Sequence, residues 1–152
     1  MTNTSMVRSI FDETLLSIGF TRHAGSWYLD EVETIIVLNL QRSAYSPQYY
    51  VNVGIWLKPL TEARFPRERS CHIRTRLTQL SPSPRETGAM LSEAYFESDP
   101  EASLKLAQLL MQAVSRLRNV AGSLSGLRTA EGERLLAVSL VSDVVRRFVS
   151  AD

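Results

Sequence analysis

The sequence predicts an α+β domain: one antiparallel sheet of four or five strands, with three main helices packed mostly on one face. Three observations predict it: helical apolar spacing in residues 5–18, strict alternation in residues 49–57, and renewed helical spacing from Leu106 onward. At 152 residues the chain has the size of one ordinary domain, so residues 1–152 are read as a single globular unit.

In the first segment Val7, Ile10, Phe11, Thr14, Leu15 and Ile18 share one helical face. Thr4 or Ser5 suits its start. Gly19 suits a left-handed stop that folds Phe20 back on Leu15. Residues 27–29 form a short aromatic strand, and the acidic turn Asp30-Glu31 leads to a second strand over residues 33–43. In the third strand Tyr49, Val51, Val53, Ile55 and Leu57 face one way, and Tyr50, Asn52, Gly54 and Trp56 the other. The five residues 44–48 suit a hairpin loop. A fourth strand over residues 71–77 sends Cys71, Ile73, Thr75 and Leu77 to one face and His72, Arg74 and Arg76 to the other.

Pro82-Ser83-Pro84 predicts an irregular middle, and residues 88–96 fit either a short helix or a fifth edge strand. Ser98-Asp99-Pro100-Glu101 is a helix start, followed by Leu106, Leu109, Leu110, Ala113, Val114 and Leu117 at helical spacing to about Val120. One last helix is predicted from Thr129 to Val149. The helices should cover the odd face of residues 49–57. The other face would then stay open, showing Asn52, Trp56, Arg74 and Arg76.

Composition removes several function classes. Hydrophobic residues make up 44% and charged residues 22%, which excludes a disordered chain. No apolar run is long enough to span a bilayer, residues 1–4 show no secretory signal, and the lone Cys71 allows no intrachain disulfide; a reducing cytoplasm is the expected address. Two histidines and one cysteine, without metal-ligand spacing, lead to no expected metal or cofactor. No phosphate-cradling glycine loop or nucleophile elbow is present. Cys71 and His72 are neighbours, yet adjacent strand residues project to opposite faces, so a nucleophile–base pair is disfavoured and Cys71 reads as core. No catalytic residue is assigned, which weighs against an enzyme. Gly54 interrupts a good strand and calls for a bulge or for the close approach of a neighbouring backbone or ligand.

The informative residues are polar and cationic. Between Lys58 and Arg85 the chain carries a net +5, leaving −4 for the rest. Such a patch attracts anions or an acidic protein face, or it pairs with the protein's own acids. Asn39, Gln41 and Ser43 alternate along one strand face toward Tyr45 in the loop. Gln41, Ser43, Tyr45, Asn52, Trp56, His72, Arg74 and Arg76 are therefore the candidate ligand- or partner-binding residues.

Leu38-Asn39-Leu40-Gln41-Arg42-Ser43 followed by Tyr49-Tyr50-Val51-Asn52-Val53-Gly54-Ile55 resembles a bacterial family known as domain of unknown function 4304. Leu16, Gly19-Phe20, Trp27-Tyr28 and His72-Ile73-Arg74 extend the resemblance over residues 11–77. Val53 stands where leucine is common. The resemblance implies a small domain with a binding or accessory role and no established activity. The residues point first to a non-enzymatic domain that binds a protein partner, as a toxin-neutralising or other accessory protein. The alternative is a domain binding a small anionic ligand or nucleic acid through the exposed sheet face and residues 58–85, nucleic acid being the weaker of the two. No membrane contact is expected, and the oligomeric state is left open.

Overall fold

A computed structural model describes residues 5–151. The reading of residues 1–4, including Thr4 as a cap, lies outside that range. Helix α1 (Met6–Ser17) starts at Ser5, whose hydroxyl accepts from the Arg8 N–H at 3.1 Å and donates to the Glu93 carboxylate at 2.6 Å. It buries Val7, Phe11, Thr14 and Leu15. Gly19, at φ +103°, ends it, and the Phe20 N–H returns to the Leu15 carbonyl at 3.0 Å.

Among the described residues, six strands follow one another across a single antiparallel sheet in the order β1-β2-β3-β4-β5-β6. These are β1 (Thr21–His23), β2 (Ser26–Asp30), β3 (Thr34–Arg42), β4 (Tyr49–Leu57), β5 (Ile73–Arg76) and β6 (Leu140–Val141). Six strands replace the predicted four or five. Strand β1 is short, polar and wholly exposed, so it carries no apolar alternation to betray it. It joins β2 through Ala24 and Gly25, both at positive φ (48° and 84°), as a two-residue primed turn requires. Strand β6 is two residues long and is recruited to β5 from far along the chain.

Seven helices, rather than three, occur among the described residues. Pro84 begins α2 (Pro84–Met90), so the proline-rich middle starts a helix instead of staying irregular. Residues 88–96 are mostly helical, through the end of α2 and α3 (Glu93–Ser98), with an isolated antiparallel bridge between Ser92 and Gln48. Helix α4 (Ala102–Ala121) matches its prediction and buries Leu106, Leu110, Val114 and Leu117. Helix α5 (Leu124–Leu127) follows. The predicted single helix over residues 129–149 is two: α6 (Ala130–Ala137) and α7 (Asp143–Ser150). Between them Leu140 and Val141 pair with β5, and Ser142 caps α7 by accepting from the Val145 N–H. Cross-strand hydrogen bonds thus replace one turn of helix.

One sheet face carries the helices, as expected. Trp27, Leu29, Ile36, Leu38, Leu40, Tyr49, Val51 and Val53 pack with α1 and α4. Ile55, Leu57 and Ile73 pack with α5, α6 and α7. The opposite face is only half open. Residues 58–72 fold back over one end of it, and Tyr28, Ile35, Val37, Trp56 and Cys71 form a smaller core there against Ala63 and Phe65. Trp56 is therefore buried (9% exposed), not displayed. Cys71 is also buried, but on this second face: it follows a 3-10 turn (Glu68–Ser70), and the strand begins only at Ile73, so the alternation assumed from residue 71 does not hold.

Gly54 forms no bulge; it pairs regularly with Val37 and Arg74. A Cβ there would meet Cys71 Sγ at 2.7 Å and the Glu68 carbonyl at 3.2 Å. The close approach comes from the covering segment of the chain itself. Gly54→Ala should accordingly cost ~1–3 kcal/mol through overpacking, measured by denaturant unfolding. A neutral result would mean that residues 66–72 do not pack against β4.

Candidate functional site

The uncovered half of the second face has a polar floor. In an antiparallel ladder, residues directly opposite one another point the same way, so Ser26, Asn39 and Asn52 line up across β2, β3 and β4. Asn39 donates to the Ser26 hydroxyl at 3.1 Å, and Asn52 donates to the Gln41 carbonyl oxygen at 3.0 Å and to that of Asn39 at 3.4 Å. The row continues to Arg76, which sits opposite Asn52 on β5.

The two strand arginines have different surroundings. Arg74 Nε donates to Glu68 Oε1 at 3.2 Å, and Glu68 is only 9% exposed. Arg74 is thus held by an internal counterion, which comes from the 3-10 turn. Arg76 lies over the Tyr50 ring at 4.6 Å, and among the described residues it makes no ion pair. Arg67 and Arg69 are likewise exposed and in no ion pair among the described residues. Of the other charges of the basic segment, Lys58 pairs with Asp30 at 2.6 Å, Arg64 lies over the Phe65 ring at 5.2 Å, and Arg85 is exposed on α2; Arg64 and Arg85 make no ion pair among the described residues.

The result is a shallow groove of about 700 Å³. Gln41 and Asn52 form its floor, Arg69, Arg74 and Arg76 its cationic side, and Val138 and Leu140 its apolar side. A second hollow of about 510 Å³ adjoins it across Glu68 and Arg69 and includes Ser26, Asn39 and Arg67. His23 stacks on Phe65 beside it, with ring centroids 4.0 Å apart.

Of the sequence-predicted residues, Gln41, Asn52, Arg74 and Arg76 come together here. Ser43 and Tyr45 do not line the groove. They lie past the end of β3, where the Ser43 hydroxyl accepts from the Tyr45 N–H, and the Tyr45 side chain is 98% exposed. Trp56 and His72 belong to the covered end. Trp56 Nε1 donates to the Thr61 carbonyl at 2.8 Å, and its ring lies 4.3 Å from that of His72. His72 Nδ1 accepts from the Leu57 N–H at 2.8 Å, ending the β4 ladder. Arg69 carried a legible signal, the basic run, but its place in the groove lining depends on the 3-10 turn. Leu140 and Val138 gave none, because only the pairing of β6 with β5 brings them here.

Among the described residues, no group of three or more His, Cys, Asp or Glu is arranged to hold a metal ion. No described helix is long and apolar enough to cross a membrane.

This architecture defines a small α+β domain in which a helix-backed antiparallel meander presents a half-covered polar face. Residues 11–114 match the model of the family described as Domain of unknown function (DUF4304), and the chain belongs to that family. No curated protein and no solved structure matches it. The family match reaches well past residue 77, into α4. It contains the amides and arginines of the groove, whereas Val138 and Leu140 lie outside it.

Two measurements check the covered end. Burial lowers the His72 pKa below its ordinary value of 6.5. The unfolded chain then binds this proton at higher pH than the folded one. The His72 contribution is therefore fully present above about pH 6.5 and is lost as pH falls below it. Equilibrium unfolding between pH 7.5 and 5 should show that decline, reduced in His72→Gln. Burial, reinforced by Glu68, pushes the Cys71 thiol up to about 12. Alkylation should be slow in the native protein and fast after denaturation. Rapid native labelling would place Cys71 at the surface.

Proposed function

We propose that this chain is a non-enzymatic binding domain that holds an acidic segment of a protein partner on the open half of its sheet. One observation carries the reading: Arg76 and Arg69, in no ion pair among the described residues, flank a floor of neutral amides in an open groove. Guanidinium groups grip carboxylates in a planar, bidentate way, and amides add oxygen and N–H partners that fix orientation. Both are poor proton-transfer groups near neutral pH, so the groove suits recognition better than chemistry. Its shallow form suits a protein surface; deep enclosure is the usual mark of a small-molecule site. An accessory protein of a bacterial cytoplasm, of the toxin-neutralising kind or another, fits this reading.

A small anionic ligand is the second reading, favoured by the same arginines. Purification from native cells separates the two, as does the response of the recovered partner to substitution. The double change Arg69→Gln/Arg76→Gln should lower recovery of a stoichiometric protein partner at least tenfold. It should leave unfolding free energy within ~0.5 kcal/mol, because neither side chain is tied to a carboxylate among the described residues. Arg74→Gln should behave differently, costing ~1–3 kcal/mol by leaving the nearly buried Glu68 carboxylate without its partner. Recovery unchanged in the double variant overturns the proposal, and a bound small anion in place of a protein supports the second reading.

A further inference from the structure

The groove has an apolar bank as well as a cationic one, and the two together specify an occupant. Leu140 is 71% exposed and Val138 41%, although both are large aliphatic side chains beside the groove. Leu140 stands directly opposite Arg74 on the β5–β6 ladder, so its side chain rises from the same face as Arg74 and Arg76. Neighbouring strands lie about 4.8 Å apart, and alternate residues along a strand about 6.8 Å apart. Arg76 and Leu140 are therefore separated by roughly 8 Å at the backbone, the reach of two or three extended residues. From Gln41 on β3 to Leu140 on β6, three strands across and four residues along, the diagonal is roughly 20 Å, or about six extended residues.

Resting on the acidic-partner reading above, we infer that the groove takes an extended peptide segment carrying a carboxylate and, two or three residues away, a large apolar side chain. The carboxylate lies on Arg76, with Arg69 as a second guanidinium in the lining of the same groove. The apolar side chain covers Leu140 and Val138. Gln41 and Asn52, on β3 and β4 and so on the other side of Arg76 from Leu140, hold the backbone that continues past the carboxylate, because amide side chains can both donate to and accept from a peptide group. Charge selects the segment and burial of the aliphatic pair sets its register, a division common in peptide grooves. A compact inorganic anion would satisfy the arginines but leave the apolar bank bare.

The test uses the full chain, immobilised and panned against a displayed library of random twelve-residue peptides, with the best binders made synthetically. Enriched sequences should place Asp or Glu two or three positions from Leu, Ile, Met or Phe. Their affinity should fall at least tenfold in Arg76→Glu and at least fivefold in Leu140→Asp. Both variants should keep the parent's melting temperature, since both positions are exposed. Peptides sensitive to Arg76→Glu but not to Leu140→Asp overturn this inference and leave the acidic-partner reading standing. Peptides indifferent to both changes, or no enrichment at all, overturn both.

Discussion

The missing side chain at Gly54 is the constraint on which the second sheet face depends. Because β4 is bare at that one position, Cys71 Sγ and the Glu68 carbonyl can approach the strand closely. That contact seats the 3-10 turn Glu68–Ser70 on the sheet and sets where the covering segment lies. It also delivers the Glu68 carboxylate to Arg74 and sets Arg69 in the lining of the groove. A packing requirement at one residue thus settles an electrostatic arrangement three strands wide.

The two arginines of β5 show how local pairing divides a basic run into structural and available charge. Arg74 gives its guanidinium to a carboxylate that burial has deprived of water, and breaking such a pair is costly. Arg76, two residues on, rests on the exposed side of Tyr50 and keeps its hydrogen-bonding capacity. Lys58 and Arg64 are drawn into contacts at the covered end. Net charge therefore overstates the cationic surface of the sheet face, where Arg69 and Arg76 are the exposed arginines of the groove in no ion pair among the described residues.

The part of the chain beyond the family match completes the sheet and its core. Ile55, Leu57 and Ile73 are fully buried only because α5, α6 and α7 cover that end of the helical face. The same segment adds β6, whose two residues extend the sheet and raise Leu140 beside the arginines. The groove thus has a floor from within the matched region and an apolar bank from outside it.

Elements with a strong local period were legible from the sequence alone. The α1 stripe, its Gly19 stop, the alternation of β4 and the long α4 all express a repeating apolar face that demands burial whatever lies opposite. The polar row at Gln41 and Asn52 and the pairing of Arg74 with Arg76 on one face were legible for the same reason: strand geometry fixes which side chains share a side. Tertiary structure decided what lacks a local period. Strand β1 is three exposed polar residues held by a primed turn. Strand β6 interrupts what reads as one helix, because β5 offers hydrogen bonds at its free edge. Trp56 and His72 read as exposed, since nothing in an alternating strand says whether a later loop returns to cover it. The return of residues 58–72 depends on the space left at Gly54, and such close approach exists only once separated segments have met.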